Sequence, residues 1–234
     1  DYHIDRAVEK SDLLNEKYNA PVSSALYMDV TKKETIENVI KKFDKIDILI
    51  NNAASDPKVK KGAASSFLNT RFETMTEKYW HDATRAIIDG TFLCSQAVSN
   101  KMLKTSGGVI LNIASDLSAI APDQRIYKNK TLPDDSQFVK PITYSAAKWA
   151  VVGMTKYLAV YFADKNIRVN CLSPTGVYTE SIPEDFQKRL CNLIPMGRMA
   201  DIDEYKGAVM FLCSDASKYM TGHNLIIDGG KTIW

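Results

Sequence analysis

Apolar and polar positions along this chain change period several times. Residues 5–18 carry a helical pattern. SALYMDV (24–30) is instead a short apolar run ending in Asp29, as a buried strand would. TKKETIENVIKKF returns to the helical period. It places Ile36, Val39, Ile40 and Phe43 on one face, and Thr31 with Glu34 matches a capping box. IDILINNAA (46–54) reads as a second buried strand that breaks into small and polar residues. A loop with Lys and Ser follows. Residues 76–104 then read as one long helix, and GGVILNIAS (107–115) as a third strand. A polar segment (116–142) leads into a helix carrying Tyr144 that ends near Asn166. IRVNCLSP (167–174) is a fourth strand, helical patterns occupy about 183–193 and 201–213, and HNLIIDGG (223–230) closes the series.

Strands therefore alternate with helices, and the strands are almost continuously apolar. That combination predicts an α/β fold with a parallel sheet covered by helices on both faces. Open sheets of this kind bind ligands at the carboxyl ends of their strands. The polar residues at those ends are Asp29, Asn51, Asn52, Ser115, Ser173 and Thr175. No internal repeat, low-complexity tract or linker divides the chain, so residues 1–234 are expected to form one domain.

Composition narrows the function without naming it. The chain is 45% hydrophobic and 25% charged, which is ordinary for a globular protein with a large core. A net charge of +2 without a long basic block argues against nucleic acid or an anionic membrane as partner. Cys94, Cys171, Cys191 and Cys213 are scattered and all but Cys191 sit in apolar runs. They read as reduced thiols of a cytoplasmic protein. His3, His81 and His223 form no ligand pattern, so no metal site is expected. No apolar stretch is long enough to span a bilayer.

The helix beginning near PITYSAAKWAVVG holds Tyr144 four residues before Lys148. At that spacing the two share a face, with Cβ atoms roughly 5–6 Å apart. An isolated phenol, with a pKa of about 10, is a poor base at neutral pH. A fixed cation beside it favours the phenolate, and the pair can then serve a carbonyl or an alcohol. Equally, such a pair arises on any helix with an inward Tyr and a snorkelling Lys. Ser115, ending its strand in NIAS, can donate to a developing oxyanion or simply satisfy loop backbone. What shifts the balance is order: DV (29–30), NNAA (51–54), NIAS, YSAAK, SPTGVYT (173–179) and IIDGG (226–230) follow one another at suitable spacings.

With these residues the whole chain resembles the short-chain dehydrogenase/reductase family, in its single-domain branch. NNAA looks like that family's N-N-A-G, YSAAK like its Y-x-x-x-K, SPTGVYT like its P-G-x-x-x-T, and TGHNLIIDGG like its closing strand. The resemblance implies a doubly wound, Rossmann-like, three-layer αβα domain and hydride transfer between an alcohol and a carbonyl with NAD or NADP. It implies Tyr144 as the proton donor or acceptor. Lys148 would lower the Tyr144 pKa and hold the nicotinamide ribose, and Ser115 would orient the substrate oxygen. Asp29 and Val30 would flank the adenine, Asn52 and Ala53 would lie along the adenosine ribose, and Val177 and Thr179 would meet the carboxamide.

Four departures from the family pattern bear on this. The family's opening strand, T-G-x-x-x-G-x-G turn and helix do not occur in the sequence. The expectation is that roughly 30 residues, one strand–helix unit, belong ahead of Asp1. Asp1 would then sit near the end of the second strand, where an acid accepts from the ribose 2′-hydroxyl and favours NAD over NADP; it could equally be an ordinary surface aspartate. Secondly, TRAIIDGTFLCSQA aligns Gly90 and Phe92 with V-N-x-x-G-x-F, which puts Ile87 where the family has an asparagine that passes protons. Asp89 lies about 200° around the helix from it and is a doubtful substitute. Thirdly, Thr175 occupies the glycine position of the P-G motif, with Gly176 following. Fourthly, 28 residues separate Ser115 from Tyr144, about twice the common family spacing. That segment carries Arg125, Tyr127, Lys128, Lys130 and Lys140. It suits either an anionic or sugar-like substrate, such as a nucleotide-linked sugar, or a plain solvated loop.

The leading expectation is an NAD(P)-dependent oxidoreductase acting on a small molecule. The alternative is a catalytically impaired cofactor-binding or assembly protein on the same fold, motivated by Ile87 and Thr175. A nucleotide-sugar epimerase or dehydratase is disfavoured because those enzymes need more chain beyond the final strand. A homodimer or homotetramer is expected through the helices near 76–104 and 143–165, using Phe92, Ala97, Val151, Met154 and Leu158.

Overall fold

The chain was described through a computed structural model, which covers residues 1–56, 70–129, 132–133 and 137–234. The loop expected after Ala54 falls largely in 57–69, and that part, like Lys130, lies outside the described residues. The elements run α1 (Ile4–Tyr18), α2 (Lys33–Ile40), β1 (Ile48–Asn51), α3 (Glu77–Arg85), α4 (Ile88–Met102), β2 (Gly108–Ile113), α5 (Ile142–Tyr161), β3 (Ile167–Pro174), α6 (Glu184–Cys191), α7 (Lys206–Cys213) and β4 (Asn224–Ile227). The four strands among the described residues form one parallel sheet in the order β1-β2-β3-β4.

Period-two alternation explains the layers. Ile110 and Val169 face one side, where they pack with Val98 and Met102 of α4 and Ala159 of α5. Leu111 and Leu172 face the other, against Leu212 and Ala208 of α7. Helices thus cover both faces of β2 and β3, the three-layer α/β arrangement expected of continuously apolar strands. Polar residues inside the first layer are matched to each other. Asn51 Nδ2 donates to Asn112 Oδ1 (2.8 Å) and to Ser95 Oγ (2.9 Å), and Asn112 Nδ2 donates to Thr155 Oγ1 (2.9 Å). These bonds join β1, β2, α4 and α5 in one chain, so the buried amides incur little penalty.

Several local expectations are corrected. Residues 24–30 form no strand. The segment's backbone is bonded to Asp1, through Asp1 N to Leu26 O (2.8 Å) and Met28 N to Asp1 O (3.1 Å), and to the Thr35 hydroxyl, which accepts from Asp29 N (3.1 Å) and donates to Asp29 O (2.6 Å); it joins no strand ladder among the described residues. The capping box is not made either. Lys32 stands at the N-cap of α2 without a side-chain cap bond, because the Thr31 hydroxyl donates to Asp29 Oδ1 (2.7 Å) instead. β1 is half exposed rather than buried: among the described residues it is paired with β2 alone, and Ile48 and Ile50 stay 46% and 45% exposed. The long helix over 76–104 is two helices. Thr76 caps α3 by accepting from Tyr79 N (3.1 Å), and Ile87 N then turns to Thr84 O (3.1 Å). That tightened i→i−3 turn swings Ile87 into the core, 1% exposed, beside Ala114, Ala147, Val151 and Cys171.

Candidate active site

The carboxyl ends of the strands lie along one edge of the sheet, as parallel pairing requires. At the front of that edge is a cavity of about 800 Å³. Asp29, Val30, Asn52 and Ala53 line it, together with Asp1, Gly90 and Thr91. The Asp29 carboxylate accepts from Thr31 N (3.0 Å) and Thr31 Oγ1, with Lys32 at 3.4 Å, and these bonds hold it below the usual carboxylate range. Val30 packs onto Gly90 so closely that a Cβ there would lie 2.7 Å from Val30 Cγ2. Asn52 and Ala53 are exposed, having just left β1. The cavity is within the size range of cofactor sites, and its walls combine backbone and small residues with two carboxylates, Asp1 and Asp29, and the larger side chains of Tyr2, His3 and Met28. That donor and acceptor set fits an adenosine group. The glycine-rich pyrophosphate turn has no counterpart in these 234 residues.

Further along the edge the polar residues are buried. Ser115 follows β2, is 6% exposed and heads a 3-10 turn, Asp116–Ser118. Its hydroxyl donates to Asp116 Oδ1 (2.8 Å) and accepts from Leu117 N (3.2 Å). Tyr144 sits in the first turn of α5, which Pro141 leads into with φ −70°. Lys148, one turn on, is 4% exposed, and its ammonium donates to Ile113 O (2.7 Å) at the end of β2. Nζ of Lys148 is 5.6 Å from the Tyr144 ring centre, and Nζ of Lys140 is 4.0 Å from it. Lys140 is ion-paired to Asp56, just beyond β1. The i, i+4 spacing thus brings Tyr144 and Lys148 together, and Ser115 lies within hydrogen-bonding reach of the phenol.

The electrostatics differ from the simple expectation. Burial pushes the Tyr144 phenol well up. The Asp56 carboxylate adds to this, the Ser115 hydroxyl opposes it, and Asp116 adds a little more. A lowered phenol was expected; desolvation and the nearby carboxylates prevail here. Lys148 shows the converse. Burial lowers its pKa to about 8, with Cys171 and Asp56 opposing and Lys140 assisting. At neutral pH the arrangement holds a protonated phenol, ready to donate to a carbonyl oxygen.

The remaining predicted residues fall apart from both groups. Val177 forms a lone parallel bridge with Ala200, and Thr179 Oγ1 lies 3.0 Å from Ser181 Oγ; neither lines the front cavity. Asp89 points outward toward Arg85 at 3.7 Å, so it cannot replace the asparagine expected at Ile87. The 116–142 segment is not a plain solvated loop. Ile126 packs with Leu190, Ile194 and Met199, the Tyr127 ring packs at tilted angles against Phe138 and Phe186, and the Gln124 amide clamps the backbone of Lys140 in both directions. Arg125 is spent on Asp123 and Lys128 is exposed; Lys140 is the one described cation of the segment that reaches Tyr144.

Two residues escaped sequence reading: Asp116 and Lys231. Their buried ion pair, 2.6 Å, stands directly behind Ser115. The signal was a charge placed immediately after a strand-end serine, and another after a Gly-Gly turn.

Comparison with known proteins is consistent along the whole chain. The short chain dehydrogenase family model matches residues 3–127, and the enoyl-(acyl carrier protein) reductase model matches residues 136–232. An NAD-dependent glycerol dehydrogenase of Listeria innocua is 39% identical over 221 residues, covering 89% of this chain and 75% of that protein. A D-threitol dehydrogenase of Mycolicibacterium smegmatis is 38% identical over 200 residues, covering 83% of this chain and 66% of that one. The crystal structure of a gluconate 5-dehydrogenase from Burkholderia cenocepacia, in complex with NADP and tartrate, superposes with a TM-score of 0.78 at 27% identity. It covers 99% of this chain and 83% of that one.

Proposed function

This chain belongs to the short-chain dehydrogenase/reductase family and is an NAD(P)-dependent oxidoreductase of the alcohol–carbonyl type, and from that premise we propose that Tyr144 is its acid/base. Residues 1–234 are taken as one dinucleotide-binding unit. The observation that carries the assignment is that Ser115 and Lys148 flank one half-buried phenol, Tyr144 of α5, beside the end of β2.

When bound, the cofactor gives or takes the hydride. The chain's own residues manage the proton and the oxygen. In carbonyl reduction Tyr144, kept protonated by burial, donates to the oxygen as charge develops on it. Ser115 lies beside the phenol and supplies a second donor to the same oxygen. The Lys148 ammonium, anchored on Ile113 O, stabilises the phenolate left behind. Ile87, sealed in an apolar cluster, plays no part in passing protons.

Asp29, Val30, Asn52 and Ala53 are assigned to the adenosine half, and Val177 and Thr179 to the carboxamide. Asp1, on the wall of the front cavity, supports NAD as the preferred cofactor. The substrate is assigned as a small polyhydroxylated compound such as a sugar or sugar derivative. The Asp56–Lys140 pair at the Tyr144 ring offers an acceptor beside a donor, which suits neighbouring hydroxyls. The named substrates of the relatives, glycerol, threitol and gluconate, support the same class.

Two further assignments accompany this one. The four cysteines are unpaired, which supports a reducing compartment such as the cytoplasm, and no described helix is long and apolar enough to cross a membrane. A groove of about 610 Å³ between α4 and α5 supports a homodimer with α4 and α5 at its seam. It exposes Phe92, Tyr157 and Tyr161. Val151, expected in that seam, is 1% exposed and belongs to the core instead. Light scattering at micromolar concentration should give at least twice the monomer mass; a monomeric mass would refute the seam.

The direct test is reduced-cofactor absorbance with polyols and their ketones. Tyr144→Phe should lower kcat by about 10²–10⁴-fold, the usual worth of a positioned acid/base. Unchanged turnover would remove Tyr144 from the chemistry.

A further inference from the structure

Asp116 is 4% exposed, and every acceptor position of its carboxylate is filled. Oδ1 accepts from Ser115 Oγ (2.8 Å) and Leu117 N (2.9 Å). Oδ2 accepts from Thr175 Oγ1 (2.8 Å) and from Lys231 Nζ (2.6 Å). Ser115, Thr175 and Lys231 follow β2, β3 and β4 respectively, so one buried carboxylate ties three adjacent strand ends together. Thr175, the departure in the family's glycine position, is thereby explained: its hydroxyl serves Asp116. Lys231, with a side chain 9% exposed, balances the charge that burial would otherwise make costly.

Ser115 has a single hydroxyl proton. In this structure that proton is committed to Asp116, and one lone pair is committed to Leu117 N–H. What remains toward Tyr144 is a lone pair, which can accept from the phenol. To hold a substrate oxygen, Ser115 must rotate its proton off Asp116. How readily it does so depends on how strongly the carboxylate holds the proton, and an ammonium at 2.6 Å weakens that hold.

We infer that the buried Asp116–Lys231 pair is a charge-balanced mount that sets where the Ser115 proton points, making both positioning residues for the reaction. This rests on the reading of Tyr144 and Ser115 given above. Asp116 also acts on Tyr144 through space. Its negative charge adds to the upward push on the phenol, and Lys231 offsets that charge. The other groups facing Tyr144 are Asp56, Lys140, Lys148 and Tyr127. Those facing Asp116, besides Lys231, are Tyr127 and Tyr205. None of these changes when the pair is altered, so opposite charge removals should have opposite effects.

The experiment measures alcohol oxidation against pH for Lys231→Gln, Asp116→Asn and Lys231→Arg, with Tyr144→Phe as control. Lys231→Gln keeps a donor but loses the charge. Its kcat should fall roughly tenfold while KM stays within about threefold, because a transition-state donor has been weakened. Its acid limb should move up by roughly one pH unit, since uncompensated Asp116 disfavours the phenolate. Asp116→Asn should move the limb down, and Lys231→Arg should restore the wild-type profile. Limbs that coincide with wild type, or that move in the same direction for both charge removals, overturn the proposal. Should Asp116→Asn not fold, Lys231→Gln and Lys231→Arg decide alone: no shift in the first, or an equal shift in both, overturns it. If Tyr144→Phe retains full turnover, the underlying assignment of Tyr144 fails, and this inference falls with it.

Discussion

β1 and β2 are paired neighbours with almost the same letters, ILIN and GVILNI, yet they live in different surroundings. Ile48 and Ile50 of β1 are nearly half exposed, whereas Ile110 and Leu111 of β2 are fully buried. The difference is neighbours. Among the described residues, β2 is paired on both sides and covered by helices on both faces, while β1 is paired with β2 alone. The same contrast continues past the strand ends. Asn52 and Ala53, after β1, are exposed walls of an open cavity; Ser115 and Asp116, after β2, are buried with their hydrogen bonds made. The buried end, with its hydrogen bonds already made, is fixed before any substrate arrives, as preorganised catalysis requires.

The comparison can be broken most forcefully in the core. Ile110→Ala should destabilise the fold by about 2–5 kcal/mol, read from denaturant midpoints, because the cavity it leaves is enclosed by Met102, Val169 and Phe162. A more modest effect should appear at Lys148. Its folded pKa, about 8, lies below the ordinary 10.5, so between those values the unfolded state binds more protons. Stability then rises with pH across that window, and the burial cost is fully felt below it. Wild type should therefore gain melting temperature relative to Lys148→Met as pH goes from about 8 to about 10. A flat difference would mean that Lys148 is not desolvated as described. In this 234-residue chain the smallest effect belongs to β1: Ile48→Ala, at a half-exposed position, should cost less than about 1 kcal/mol, and a larger loss would show that Ile48 is covered in solution.

Much of this was legible in the letters. β3 lies at Ile167–Pro174, where the apolar run placed it, and the i, i+4 spacing put Tyr144 and Lys148 on one face of α5. Free thiols at Cys94 and Cys171, their pKa values raised to about 11 by burial, also agree with the apolar runs around them. Other features were misread for identifiable reasons. SALYMDV has strand composition, but a strand needs a partner strand, and none of the described strands pairs with it. Thr31 has the right spacing for a cap, but its hydroxyl went to Asp29. The helix break before α4 depended on where Ile87 could be buried, which no local pattern states.

The sequence by itself determined the alternation of strands and helices, the parallel sheet it implies, and the phenol–ammonium pair, because these follow from periods of two and 3.6 residues. Tertiary structure alone decided that β2 and β3 would be the strands covered by helices on both faces. It also decided that burial would push the Tyr144 phenol up, and that Lys140 would meet Asp56 across 84 residues. Above all it brought Lys231 to Asp116 across 115 residues of chain. Periodicity carries information over a turn or a pleat. A buried charge pair is assembled only when separate strand ends are laid side by side, and there desolvation makes each charge depend on the other.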